Sequence, residues 1–331
     1  MSSTITAPAP WITSTQQCTL ETCPLSMAHN TYLPNLAGNA LYVAIFSFFI
    51  FIQLIIGVRM RTWSFMITTI CGLILEVLGY AARIKERDNP FIDKWFTMSI
   101  VCLTIAPAFL SAAIYLSLAR IVGVYTTRIS RLKQRSYSLL FVACDIISLL
   151  LQAAGGAMTT SADASTIETG KNILIAGLAF QVASLTLYLG ICGDLAWRVW
   201  RVSRGGRRAQ SSSLEMPLTT DHTEIPQSMG RNAIFFDADF ASIRAARAWA
   251  AFLFLQGLAT ICIYVRCVFR VAELSGGFDS RLANDEVAFM VLEGAMISIA
   301  VIALSSWGHP GMGFQGRWAE LDYPMFFAKR V

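Results

Sequence analysis

Charge is scarce in this chain. Asp, Glu, Lys and Arg make up 14% of its 331 residues, against about 25% in soluble domains. With 55% hydrophobic residues, that deficit argues against a soluble fold and for a membrane class. Histidine is scarcer still. His29, His222 and His309 lie far apart, and no H-E-x-x-H or zinc-type Cys/His array accompanies them, so a metal site is not expected. No G-x-x-x-x-G-K-[ST] loop is present, which removes the usual nucleotide-driven motor. No G-x-S-x-G elbow and no Asn-x-Ser/Thr sequon occurs. The first 37 residues hold no Lys or Arg and no short apolar run, so a cleaved signal peptide is not expected and the first span acts as its own insertion signal. Basic residues fall in short segments between apolar runs, which does not make a nucleic-acid surface. No cofactor is implied.

Seven apolar runs are present, at about residues 38–58, 64–82, 96–119, 137–160, 172–196, 248–266 and 286–306. A span takes roughly 20 apolar residues. In lipid such a run must be helical, because no water satisfies the backbone N–H and C=O groups. The expected fold is an all-α bundle of seven transmembrane helices. Placing the N-terminus outside puts 18 of the 26 Lys and Arg on the cytoplasmic side and 8 outside, which selects N-out and C-in by the positive-inside rule. Trp63, Trp95, Trp197, Trp200, Trp249 and Trp307 fall near span ends, the headgroup level that indole rings favour. The expected division is an extracellular segment 1–37, a membrane domain 38–308 with a flexible cytoplasmic loop 197–247, and a cytoplasmic tail 309–331. Within that loop, residues 210–229 are rich in Ser, Thr and Pro, as a linker is. The arginines of 198–208 either enforce topology or attract anionic lipid.

Cys71, Cys102, Cys144, Cys192 and Cys262 lie inside spans and read as small apolar residues. Cys18 and Cys23 lie outside, where they can pair, with Cys267 as a rival partner.

The polar residues inside the spans carry the functional signal, since a buried charge there costs several kcal/mol and faces the bundle interior. Glu76, Gly79, Tyr80 and Arg83 share one stripe of the second span. Glu76 lies deep and reads either as an interhelical hydrogen-bonding group or as a site for a cationic head group or proton. Arg83 is long enough to snorkel outward. Asp145, Ser148, Gln152 and Gly156 share a face of the fourth span, and the Gly155–Gly156 pair invites close helix approach. Pro107 in the third span frees a backbone carbonyl and bends the helix. Arg266, Arg270 and Glu273 repeat at four and three in the sixth span, and Glu286 and Glu293 repeat at seven in the last. These groups are placed to pair near the outer face. Gln181 and Tyr188 form a polar stripe on the fifth span, as do Gln256, Thr260 and Tyr264 on the sixth. The expectation is that acids of spans two, four and seven meet amides of spans five and six around a polar cavity.

In this order the residues resemble one family. Tyr32, Pro34 and Asn39 precede E-x-x-G-Y-x-x-R at Glu76, Gly79, Tyr80 and Arg83. The run L-T-I-A-P-A-F-L-S-A-A-I-Y follows from Leu103 to Tyr115, leading to Arg120. Asp145, Ser148, Gln152, Gly155 and Gly156 come next, then Gly177, Gln181, Arg266, Arg270, Glu273, Glu286 and His309-Pro310-Gly311. The chain is similar, from about Tyr32 to Gly311, to the fungal lipid-translocating exporters, also called the resistance-to-aminocholesterol family, which includes a yeast sphingoid long-chain base transporter. The resemblance implies seven spans, an external N-terminus and movement of lipid-like amphiphiles. Phe289 and Glu293 stand where the family usually has Tyr and Asp, losing one hydroxyl and lengthening one acid.

The leading expectation is a plasma-membrane transporter, not an enzyme, that exports amphipathic and cationic lipids such as sphingoid bases, or hydrophobic toxins, and so confers resistance. Its partners are membrane lipids and the amphipathic or drug-like substrate. Glu76, Tyr80, Asp145, Gln152, Gln181 and Glu293 are the candidate substrate contacts. Arg83, Pro107, Gly155, Gly156, Arg266, Arg270, Glu273 and Glu286 are the candidate structural or gating residues. A seven-span receptor or lipid sensor is the alternative. It is disfavoured because 161–171 holds no Cys and the third span ends Leu118-Ala119-Arg120 without an acidic-Arg-Tyr triplet. A lipid enzyme using the buried acids and His309 ranks third.

Overall fold

Every regular element among the described residues is helical. The computed structural model describes residues 18–20, 22–24, 32–125, 134–158, 163–214, 240–276 and 285–318. The helices are α1 (Leu36–Arg59), α2 (Trp63–Asp88), α3 (Asp93–Val124), α4 (Gln134–Met158), α5 (Ala164–Leu214), a short α6 (Ala241–Ala245) and α7 (Arg247–Ser275). The last span is composite: α8 (Glu286–Phe289), a π-helical turn (Met290–Ala295) and α9 (Met296–Ser305), followed by the one-turn α10 (Pro310–Gly313). Seven of these stretches are long and apolar enough to cross a membrane, so the protein is an integral, multi-pass membrane protein.

The starts are set locally. Asn35 caps α1 by accepting from the Gly38 N–H at 3.1 Å, and Asp285 caps α8 by accepting from Val287 and Ala288 at 3.0 and 3.2 Å. Short polar side chains at these positions satisfy the first orphan N–H groups. Sequential helices pack as neighbours, and α1 meets α9 to close the ring, with α3 also touching α7. Burial grades the ring: 61% of the apolar window of α3 lies inside the protein against 17% for α1. The third span is the centre and the first is the lipid-facing edge, which is why Phe48, Phe51 and Ile55 of α1 stand exposed.

Three expectations meet a different structure. The helix of the fifth span continues to Leu214, through the first part of the stretch read as a flexible loop. At 51 residues it is roughly 75 Å long, well beyond a hydrocarbon core of about 30 Å. Close side-chain pairs support this extension: Arg198 bonds Asp194 at 2.9 Å, Trp197 stacks on Trp200 and Arg201 lies over the Trp197 ring. Residues 215–229 of the linker lie outside the described residues. Second, Trp249 lies in the first turn of α7, near a span end, but does not face outward. It is buried, donates to the Tyr125 hydroxyl at 2.8 Å and packs on Phe252 and Phe314. Third, the tail does not leave the bundle at residue 309. His309, Phe314 and Trp318 are buried; His309 caps α10 through Nδ1 and sets its ring edge on Phe65. Trp318 lies against Phe65 and Phe314 with the Arg120 guanidinium 3.7 Å from its ring. These aromatic rings seal the bundle end opposite the N-terminus of α1, because a dry aromatic face gains more from packing than from solvent.

Candidate functional site

The polar interior falls into two groups. The first is a chain of ion pairs in the half of the bundle nearer the N-terminus of α1. On α7, residues 266, 270 and 273 recur on one face. Arg266 donates to Glu293 Oε1 at 2.7 Å, with both side chains 1% exposed. Arg270 donates to Glu273 at 2.6 Å and lies 3.7 Å from Glu293 Oε2. One acid thus sits between two guanidinium groups, the arrangement that makes a buried charge tolerable.

Backbone irregularities of two spans feed this chain. The π turn carries Glu293, and Tyr42 of α1 donates to the Met290 carbonyl within it at 2.6 Å. Gly294 is needed there, since a Cβ would stand 2.4 Å from the Tyr42 ring. On α3, Pro107 has no N–H to give to the Leu103 carbonyl one turn back. Arg266 donates to that carbonyl instead. The proline and the arginine are therefore one unit: the first frees an acceptor in a dry interior, and the second satisfies it.

Above this chain, Arg83 does not snorkel out. It is buried, donates to the Tyr32 hydroxyl at 2.8 Å and lies 3.9 Å from the Phe289 ring. Burial pushes the Tyr32 phenol above its ordinary range, with the neighbouring Arg83 acting in the opposite direction. Glu286 accepts from the Asn35 backbone N–H, and Arg87 donates to the Pro34 carbonyl at 2.8 Å. These bonds clamp residues 32–35 onto α2 and the last span. Beneath the clamp a cavity of about 30 Å³ is lined by Tyr32, Arg83, Ser99, Arg270, Glu273 and Phe289, among others. That is space for one or two waters, far less than a lipid head group takes.

Glu76 lies behind the chain, 1% exposed, with Arg266 and Glu293 as its charged neighbours. Its Oε2 has no hydrogen-bond partner, nor does the Tyr80 hydroxyl. Tyr80 packs its ring on Tyr42 and Phe46.

The second group is near mid-bundle. Asp145 of α4 is 4% exposed and has no well-formed hydrogen bond to either carboxyl oxygen, while the Tyr115 hydroxyl of α3 faces it at the edge of bonding reach. The same hydroxyl neighbours Ser111, and none of the contacts among these three residues is a well-formed hydrogen bond. The rings of Tyr115, Phe141 and Tyr188 pack together with centroids 4.8–5.4 Å apart. Ser111, Tyr115, Tyr188 and Thr260 line a closed seam between α3, α5 and α7.

The acids expected to share one cavity are thus divided. Glu76 and Glu293 share the field of Arg266, whereas Asp145 stands apart, with Cys267 neighbouring both groups. The amides serve elsewhere. Gln152 donates to Gln181 at 3.1 Å, tying α4 to α5, and Gln256 donates to the Gly308 carbonyl at 3.0 Å, holding the end of the last span. Gly155 lies against the α5 backbone, while a Cβ added at Gly156 would meet only a Leu174 methyl at ordinary contact distance. Cys18 and Cys23 form a disulfide, and Cys267 is free and buried. Ser111 and Tyr115 were visible in the sequence only as polar residues near Pro107, and Tyr188 only as part of a stripe. Their shared i, i+4 face with the buried Asp145 one helix away was the missing signal.

The family described as RTA1 like protein matches residues 69–317. The sphingoid long-chain base transporter RSB1 of Saccharomyces cerevisiae is 33% identical over 291 residues, covering 86% of this chain and 74% of the relative. The protoporphyrin uptake protein 1 of the same yeast is 23% identical over 71% of this chain and 65% of the relative. Protein RTM1 of Saccharomyces cerevisiae is 24% identical over 73% and 66%. No solved structure matches.

Proposed function

The chain belongs to the RTA1-like family, and from that membership we propose that it is a plasma-membrane exporter of amphipathic, cationic lipids of the sphingoid long-chain base type. The relative with the highest quoted identity is named as a transporter of such bases, and a second is named for uptake of protoporphyrin, another bulky amphiphile. Resistance to hydrophobic toxins follows from the same export. The chain is oriented with its N-terminus outside, so the clamp on residues 32–35 faces the exterior and the aromatic seal around Trp318 faces the cytoplasm.

One observation carries the reading. Glu76 and Asp145 are buried acids that no arginine or lysine among the described residues pairs with, and Glu76 Oε2 and both Asp145 oxygens lack a well-formed hydrogen bond, while Glu293 and Glu273 are already held by arginines. A buried acid without a partner costs far more than a paired one, and a protein that keeps two of them has a cationic visitor to gain. Glu293 is set aside as a substrate contact on this reading, because its charge is spent on Arg266 and Arg270. Without a nucleotide loop, transport runs down a gradient or couples to an ion.

The test is export of labelled long-chain base from cells carrying the wild type or Glu76→Gln. The variant is expected to lose about tenfold or more in rate, the scale of one charge-assisted hydrogen bond, with its surface amount unchanged. Equal export by the two proteins removes Glu76 from the mechanism. Equal export by wild-type cells and cells lacking the protein removes the reading.

A further inference from the structure

Asp145, set behind the seam residue Tyr115, makes with that seam the composition of a specific receptor. Its polar atoms come from two helices, Asp145 Oδ1 and Oδ2 from α4 and Tyr115 Oη and Ser111 Oγ from α3, and none of them makes a well-formed hydrogen bond. Each of the three residues is more than nine-tenths buried. A dry interior does not keep unpaired acceptors beside a carboxyl without cost. No arginine or lysine among the described residues pairs with Asp145, in contrast to Glu273 and Glu293. Tyr115, Phe141 and Tyr188 wall the place with rings, which add attraction for a cation. Thr260, on the seam's α7 side, already spends its hydroxyl on the Gln256 carbonyl at 2.8 Å.

We propose that Asp145, Tyr115 and Ser111 form an occluded site for a primary ammonium head group. The proposal rests on the transport reading and narrows its substrate class. A primary ammonium carries three N–H donors. The site offers three acceptor groups for them: the carboxylate, which also supplies the opposite charge, and two hydroxyl oxygens. A trimethylated ammonium has the same charge and no donor, so it leaves the hydroxyls unpaired and brings bulk that the seam excludes. The seam holds no water-sized space as it stands. Entry therefore requires α5 and α7 to part around Tyr188 and Ile263, and closure behind the amine pairs every buried oxygen. The site reads the number of N–H donors, and the arginine chain nearer the external face has no part in that reading.

The experiment uses the full chain in nanodiscs, with fluorescent octadecylamine and its trimethylammonium analogue as probes. The wild type is expected to bind the primary amine about tenfold or more tightly than the analogue. Tyr115→Phe and Ser111→Ala, which remove one oxygen each, are expected to shrink that preference, and Asp145→Asn to abolish binding of both cations. Asp145→Glu restores part of it. Equal affinity of wild type for the two amines overturns the proposal, and so does unchanged preference in Tyr115→Phe. Should Asp145→Asn fail to fold, the wild-type preference and the Tyr115→Phe comparison still decide. Translocation of long-chain base across vesicles is measured in parallel. Translocation without amine preference sinks this site and leaves the exporter reading standing. Amine preference without translocation keeps the site and sinks the exporter.

Discussion

Arg266→Met is expected to unfold the protein or reduce its folded yield severely. Arg266 holds two groups that have no other good partner. Its guanidinium neutralises Glu293 at 2.7 Å, and it caps the Leu103 carbonyl that Pro107 leaves bare. Removing one member of a buried pair costs about 3–5 kcal/mol, because the stranded charge remains. Arg270 is 3.7 Å from the other Glu293 oxygen and committed to Glu273, so it compensates only in part. The control separates charge from shape. Arg266→Met combined with Glu293→Leu removes both charges and is expected to recover most of the loss, as paired apolar replacement often does. The bare Leu103 carbonyl remains in the double variant and accounts for a residual of about 1–3 kcal/mol. Heating detergent-solubilised protein and following the monodisperse fraction by size-exclusion chromatography measures each step. A double variant no better than the single one would show that the ion pair is not what Arg266 contributes.

Gly155→Ala is the second large effect, and its neighbour supplies the comparison. A Cβ on Gly155 would lie 2.5 Å from the Leu174 nitrogen, 2.6 Å from the Gly170 carbonyl oxygen and 2.9 Å from the Leu174 Cα. All three are backbone atoms of α5, so no rotamer change relieves the clash and α4 must move bodily away. Overpacking of this kind costs about 1–3 kcal/mol. On Gly156 the nearest atom to an added Cβ is a Leu174 methyl at 3.9 Å, ordinary contact. Gly156→Ala is therefore expected to be neutral or to gain up to about 1 kcal/mol from helix propensity. The same propensity gain is available at 155, so a loss there with a gain at 156 isolates the helix contact. The Gly155 variant is also expected to weaken the Gln152–Gln181 bond, which spans the same pair of helices. Equal thermal stability of the two alanine variants would defeat the packing argument.

Some of this was legible before any coordinates. Seven apolar runs read as seven helices because lipid leaves the backbone no alternative. Stripes at three, four and seven placed Arg266, Arg270 and Glu273 on one face of their helix, and the ion pairs found there follow from that face. Pro107 announced a free carbonyl but not who would take it. Arg266 lies 163 positions away, and helical periodicity carries no information across that distance. The π turn was equally hidden, since an extra residue in one turn leaves the apolar run unbroken while it changes the face on which Glu293 emerges.

Burial in the bundle interior also has two outcomes that a sequence does not separate. Glu293 and Asp145 are both acids in apolar spans, and periodicity treats them alike. One meets two arginines and is neutralised; the other meets two hydroxyls and a ring cluster and is left open. The chain's own sequence determined the class, the number of spans and the faces of its helices, because those depend on solvent and on a repeat of 3.6 residues. The pairing of charges, the fold-back of Trp318 and the isolation of Asp145 were decided only when seven helices closed into a ring, because each depends on which faces meet.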